Sequence, residues 1–285
     1  MEKDFEINKS KNKVNIPVED SKKLEKITVK HEDPFVKKIK ITNKYYKALE
    51  EQIAKHRLNG VLAITKLASE GKNVISDPDF YRTALEYVKR KFPSEKGYLA
   101  AEDIVQSAAI AGVRDENLYK NAIDYILSPS FSSLGVQYLT KDAIESVCRI
   151  LASVAITNQE SDKMIESGSA FKLALERVSA SVILNEKRQD EKINRMVEIF
   201  EQALEAKIDP EISREMYETV YNTIKNSQLE KSYKIKTLWE ITAKAIKSEG
   251  LSHTKLFTDF INYAKENEQH NFIRSIMQLL QIYKK

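Results

Sequence analysis

From Asn43 onward, apolar residues recur at intervals of three and four, which places them along one side of an α-helix. The recurrence predicts helices near 43–56, 59–70, 78–92, 99–112, 115–127, 139–156, 161–179, 187–206, 210–226, 230–248, 252–266 and 270–283. Asp77-Pro78 and Asp209-Pro210 each set a capping acid before a proline at the first helical position. Gly71, Gly112 and Gly250 stand where helices should stop. Within 80–88, Phe80, Tyr81, Ala84, Leu85, Tyr87 and Val88 share an arc of roughly 160°, while Arg82, Thr83, Glu86, Lys89 and Arg90 take the other side. A face that wide serves more than one neighbouring helix, as stacked layers require.

The pattern also repeats. Asp77-Pro-Asp-Phe-Tyr-Arg-Thr-Ala-Leu-Glu-Tyr-Val88 aligns without gaps on Asp115-Glu-Asn-Leu-Tyr-Lys-Asn-Ala-Ile-Asp-Tyr-Ile126. The same grammar returns at Leu256–Ala264, with weaker echoes at Phe171–Val178 and Asp209–Val220. The helices between echo one another too: Tyr98-Leu-Ala-Ala-Glu-Asp-Ile104 resembles Tyr138-Leu-Thr-Lys-Asp-Ala-Ile144. The unit is therefore a hairpin: an aromatic-rich first helix, then a second one rich in small residues (Ser107–Gly112, Leu151–Ala155) that permit close approach. These features predict an all-α fold, a right-handed α-solenoid of about five to six helical hairpins, each burying its apolar face on the next.

Residues 1–42 read differently, as an extended or disordered basic arm ahead of a helical domain over 43–285. Apolar residues there are scattered, and Ile27-Thr-Val29 and Phe35–Ile41 alternate like short strands. The formal net charge of +4 lies entirely within residues 1–45, which hold twelve lysines against eight acids. The remainder of the chain is balanced, so the body is no strongly basic nucleic-acid binder. Lys9, Lys11, Lys13, Lys37, Lys38 and Lys40 are the arm's candidate contacts to RNA or to a protein neighbour. Either the arm is a tail, or it becomes ordered on a neighbouring subunit or on RNA. Acids at Glu2, Asp4 and Glu6, with no arginine, argue against a conventional transit peptide, and no secretory signal is recognisable.

Seven glycines and six prolines are too few for a turn-rich sheet protein. The single cysteine excludes a disulfide framework, and no apolar run reaches the roughly 20 residues of a membrane span. Phosphate-binding glycine loops, nucleophile elbows and paired metal-ligand motifs are missing. His31, His56, His253 and His270 stand far apart. Cys148 lies on the apolar stripe of Ala143, Ile144, Val147, Ile150 and Leu151, so it reads as an inert core thiol. Trp239 reads as a packing anchor, and the acid pairs Glu50-Glu51 and Glu102-Asp103 as solvated helix faces. Lys89, Arg90, Lys91 and Lys96 form the body's one compact basic cluster, placed to suit a helix C-terminus or to touch phosphate. Arg177, Lys187-Arg188, Arg195 and Lys231–Lys234 would extend a basic stripe, but acids interrupt it.

Asp103-Ile104, Ala111-Gly-Val113 and Asp115-Glu-Asn-Leu-Tyr119 together resemble the degenerate helical-hairpin repeats of organellar proteins, the octatricopeptide and heptatricopeptide families, including FAST-kinase-like proteins. The likeness covers about residues 75–160, and no C-terminal RAP domain is recognisable. The resemblance implies a mitochondrial protein concerned with RNA or ribosomes; without it the chain reads as cytoplasmic. The expectation is a non-enzymatic scaffold subunit of a mitochondrial ribonucleoprotein assembly, with protein subunits and RNA as partners and with no cofactor, metal or small-molecule substrate. The alternative is a structural subunit of a protein-only mitochondrial complex, an ATP synthase or respiratory complex, whose arm wraps a neighbour.

Overall fold

The structure is a computed structural model that describes residues 34–70, 74–93, 95–128, 130–131, 137–159, 168–183, 189–248 and 254–283. Its helices are α1 (Pro34–Ala54), α2 (Leu58–Glu70), α3 (Pro78–Lys91), α4 (Glu95–Ile110), α5 (Glu116–Ile126), α6 (Lys141–Gln159), α7 (Ser169–Ala180), α8 (Gln189–Glu205), α9 (Pro210–Asn226), α10 (Lys231–Lys247), α11 (Thr254–Glu266) and α12 (His270–Tyr283). The fold is all-α, as the sequence predicts. Among the described residues its strand pairing is confined to β1 (Ser130–Phe131), β2 (Gln137–Leu139) and β3 (Val182–Ile183), with β2 antiparallel to β1 and parallel to β3.

Helices pair as hairpins, α1 with α2 through to α11 with α12. Odd-numbered helices also pack on odd ones, from α1 on α3 to α7 on α9. Even-numbered helices pack on even ones without a break from α2 to α12. The most extensive contacts run through α4, which lies against α2 on one side and α6 on the other. Its buried Ala100, Ala101, Ser107, Ala108 and Ala109 explain that closeness, because small side chains let backbones approach. The apolar interior is one continuous cluster from Leu49 in α1 to Ile276 in α12.

The sequence repeat is a structural repeat. Asp77 and Asp115 cap α3 and α5 identically, each accepting from the amide two residues on at 3.1 Å. Phe80, Tyr81, Ala84, Leu85 and Val88 are buried, and so are their counterparts Leu118, Tyr119, Ala122, Ile123 and Ile126. Asp209 caps α9 in the same manner, from Glu211 N at 2.8 Å. Gly112, just beyond α4, adopts φ +70°, the left-handed conformation that ends a helix.

Three expectations change. Helix α1 begins at Pro34, so Phe35–Ile41 is helical rather than extended, and the arm boundary at 42 lies too late. Phe35 and Ile39 are four apart and Val36 and Ile39 three apart, which meets helical spacing as well as alternation does. A helix satisfies its own backbone groups, whereas a lone strand without a partner cannot. Leu139, placed at the start of a helix from sequence, belongs to β2; α6 starts after Thr140, whose hydroxyl accepts from Ala143 N at 3.2 Å. Helix α7 begins at Ser169, and 161–167 of the expected 161–179 helix lie outside the described residues, as do Ile27–Val29, Gly71 and Gly250.

Candidate functional site

The charges of the helical domain are paired across layers. In the even row, Glu102 of α4 receives Arg149 of α6 in a two-pronged contact, Nε to Oε1 at 2.5 Å and Nη2 to Oε2 at 2.8 Å. Arg149 also donates to Ser146 Oγ at 3.1 Å, and Gln106 to Glu102 Oε1 at 3.1 Å. The ladder continues with Glu145 of α6 on Arg195 of α8 at 2.6 Å, then Glu201 of α8 on Lys244 of α10. The odd row holds Arg82 of α3 on Asp115 of α5, Arg177 of α7 on Asp124 of α5 at 2.9 Å, and Lys172 of α7 on Glu215 of α9. Three of these joints involve helix ends. Asp77 uses one oxygen to cap α3 and the other to accept Tyr46 OH at 2.9 Å. Asp115 caps α5 and accepts Arg82. Glu116 accepts Ser169 N and Ala170 N and so caps α7 from the preceding layer. Most such pairs are partly exposed and individually weak, about 0–1 kcal/mol. Glu102 is different: it is buried, contrary to its expected place on a solvated face, and Arg149 is what permits that burial.

The basic cluster at the end of α3 is divided by its surroundings. Lys89 pairs with Glu86 at 2.9 Å, and Lys96 lies over the Phe92 ring, 5.9 Å from its centroid. Arg90 and Lys91 are exposed and line a cleft of about 660 Å³ with Ile53, Asp79, Arg82, Thr83, Glu86 and Tyr87. The Tyr87 ring packs edge-on against Phe92, and its hydroxyl is buried with no hydrogen-bond partner among the described residues. Sequence reasoning found the cations but not Ile53 or Tyr87, because α1 and α3 meet only in three dimensions. Of the arm candidates, Lys37, Lys38 and Lys40 fall on α1, and Lys9, Lys11 and Lys13 lie outside the described residues.

The other candidates are dispersed. Arg177 and Arg195 belong to the ladders and Lys234 donates to the Lys225 carbonyl at 3.1 Å, while Lys187 and Arg188 lie outside the described residues. Among the described residues no cluster of His, Cys, Asp and Glu could hold a metal. His56 ends α1 at φ 54°, and His270 begins α12. Cys148 is buried on its predicted stripe; burial, reinforced by Glu198, pushes its thiol up to about 12. Trp239 packs on Phe272, ring centroids 5.9 Å apart. Asp103, on the exposed side of α4, has its carboxyl raised by desolvation and then by Glu102, against the pull of Lys66 and Arg149. Among the described residues no helix is long and apolar enough to cross a membrane. No known protein family, characterised protein or solved structure matches the chain.

Proposed function

We propose that the chain is a non-enzymatic helical-repeat scaffold subunit of a mitochondrial ribonucleoprotein assembly, ribosome-associated or RNA-processing. The observation that carries this reading is the pairing of successive layers by caps, ion pairs and apolar contact, unbroken in the even row and running from α1 to α9 in the odd row. Such a stack extends by repetition and offers long surfaces to partners. We read it as one α-solenoid of six hairpins. RNA would meet the exposed Arg90 and Lys91 together with the lysines of the arm and of α1. The mitochondrial setting rests on the resemblance of residues 75–160 to organellar hairpin repeats.

The charge ladders favour the second reading, a subunit of a protein-only mitochondrial complex. They engage Arg82, Arg149, Lys172, Arg177, Arg195 and Lys244 between layers, which withdraws those six cations from a phosphate backbone. Fluorescence anisotropy of a labelled RNA oligonucleotide separates the two. RNA binding should be measurable at low salt and should weaken steeply as salt rises. No affinity at low salt would leave the protein-only reading. Native co-purification then identifies the assembly, through ribosomal RNA or through membrane-complex subunits.

A further inference from the structure

Three even-numbered helices end in an exposed apolar row. Tyr125 at the close of α5 donates to the Phe92 carbonyl just ahead of α4, so the hairpin turns back on itself. With every hairpin built this way, the even helices run parallel, and their C-terminal ends share one edge of the stack with the starts of the odd helices. Ile110 lies eight residues beyond Glu102 and Ile156 seven beyond Arg149, so the Glu102–Arg149 pair sets them side by side two turns further on. Ile75 N donates to the Ala68 carbonyl at 2.8 Å, which holds Val74 at the same end of α2. Val74, Ile110 and Ile156 are 44%, 59% and 55% exposed. With layers about 8–10 Å apart, they line up across three layers.

The same edge is electronegative. No basic residue stands in the last turn of α2, α4 or α6, whose terminal carbonyls carry partial negative charge. Glu70, Asp77, Asp115 and Glu116 lie there too; Lys66 pairs with Glu70 and Arg82 with Asp115, while Arg114 is exposed. The edge therefore suits a segment that is both apolar and cationic. One is tethered beside it. Tyr46 of α1 donates to Asp77 at 2.9 Å, so α1 reaches this edge twelve residues after its start at Pro34, and residues 1–33 enter from beyond it. Within them, residues 7–18 hold Lys9, Lys11 and Lys13, no acid, and the apolar Ile7, Val14, Ile16 and Val18. The sixteen residues between Val18 and Pro34 span up to about 50 Å, enough to turn back from a helix start about 18 Å beyond the edge.

We propose that residues 7–18 dock on their own chain across the C-terminal ends of α2, α4 and α6, with Val14, Ile16 and Val18 on the row of Val74, Ile110 and Ile156 and the three lysines over the acids and helix ends. The tether gives the segment an effective concentration of about millimolar, so its own edge outcompetes that of a second copy at micromolar protein. Held there, the arm covers the apolar row; released to a neighbouring subunit or to RNA, it uncovers the row for a partner. The contact does not rest on the ribonucleoprotein reading, and its test contains neither RNA nor a partner.

Photocrosslinking of the full chain with benzoylphenylalanine in place of Asn15 tests the proposal. Mass spectrometry should map the cross-links to peptides containing Val74, Ile110 or Ile156 of the same chain, with a yield independent of protein concentration. Ile110→Ser/Ile156→Ser should lower that yield several-fold. Both side chains are exposed, so the variant should keep its helical melt. Leu99→Ser, an exposed residue at the opposite end of α4, should leave the yield unchanged. Lys9→Gln/Lys11→Gln/Lys13→Gln, which leaves the helical domain intact, should also lower it, as should raised salt. Cross-links scattered over the surface, or an equal yield in Ile110→Ser/Ile156→Ser and the parent, overturn the docking site. Cross-links between chains that grow with protein concentration overturn it as well, because the occupant is then the arm of a second copy.

Discussion

Cys148 shows how far burial sets the chemistry of a side chain. Packed among Ile144, Val147 and Leu151, its thiol has a pKa of about 12, so almost none is thiolate at neutral pH, and the thiolate is the reactive form. Alkylation by iodoacetamide at pH 8 should therefore be slow in the native protein and fast in denaturant, as read by mass spectrometry; rapid native labelling would contradict the packing. The same burial predicts a pH dependence. Cys148 and Tyr125 are both raised to about 12, and Tyr81, Tyr119, Tyr217 and Tyr221 are raised as well. A folded pKa above the unfolded one gives stability that is complete below the unfolded value and is lost as pH rises toward the folded one. Unfolded cysteine and tyrosine ionise near about 8.5 and 10. The melting temperature should thus hold to pH 8 and fall progressively from pH 9 to 11. Asp115 carries a different kind of weight, because one carboxylate caps α5 and ties down Arg82 of α3. Asp115→Ala should cost about 1–3 kcal/mol in urea unfolding, the sum of a lost cap and a lost partly buried ion pair. Asp115→Asn should recover most of the cap share, since asparagine caps as well as aspartate.

Glycines in two helices make opposite predictions from the same substitution. Gly97 sits in the first turn of α4, where an added Cβ would lie 1.8 Å from the Phe92 carbonyl oxygen and 2.2 Å from the Tyr125 hydroxyl that donates to it. Gly97→Ala must break that bond or displace α5, and it should destabilise by about 1–3 kcal/mol despite alanine's better helix propensity. The atoms nearest to a Cβ added at Gly60 in α2 belong to the flexible Gln52 side chain, which can swing aside, so Gly60→Ala should be neutral or stabilise by up to about 1 kcal/mol. Paired denaturation curves would check both. Helices of this kind were largely legible beforehand. Period, caps and the Asp77/Asp115 repeat located nearly every one, and the buried residues of α3 are the six assigned to its wide face. The helix whose start was missed by the most was α1, although Asp33-Pro34 carries the same signal used at Asp77-Pro78 and Asp209-Pro210. The alternation of Phe35–Ile41 obscured it, because in seven residues periods of two and 3.6 overlap. The cleft and the charge ladders were only half legible. Arg90 and Lys91 stand out as a cluster, but Glu102–Arg149, Arg82–Asp115 and the approach of Ile53 to Tyr87 join residues more than thirty apart, and no local pattern encodes them.

Because each hairpin contacts chiefly its neighbours, interior and terminal layers should fail differently. Leu151 in α6 and Ile276 in α12 are both fully buried aliphatic residues. Truncating either to alanine removes similar transfer and packing energy, about 2–5 kcal/mol in an ordinary core. In a chain of nearest-neighbour interfaces the consequence depends on position. Leu151 is fully buried in α6, which packs on both α4 and α8, so Leu151→Ala should weaken the middle of the stack. It should lower the global urea midpoint and raise hydrogen exchange throughout. Ile276 is fully buried in α12, which packs on α10 and α11, and no further described helix packs beyond it. Exposed Met277 and half-buried Ile273 and Leu280 already leave part of that helix open to solvent. Ile276→Ala should therefore act by letting α11 and α12 open together, with fast exchange confined to 254–283 and a global midpoint little changed. Equal loss of midpoint in the two variants, with exchange raised throughout in both, would mean that the helices melt as one cooperative globule. The layered stack would then be wrong as an energetic description, and with it the reason for reading this chain as a scaffold that works through extended surfaces.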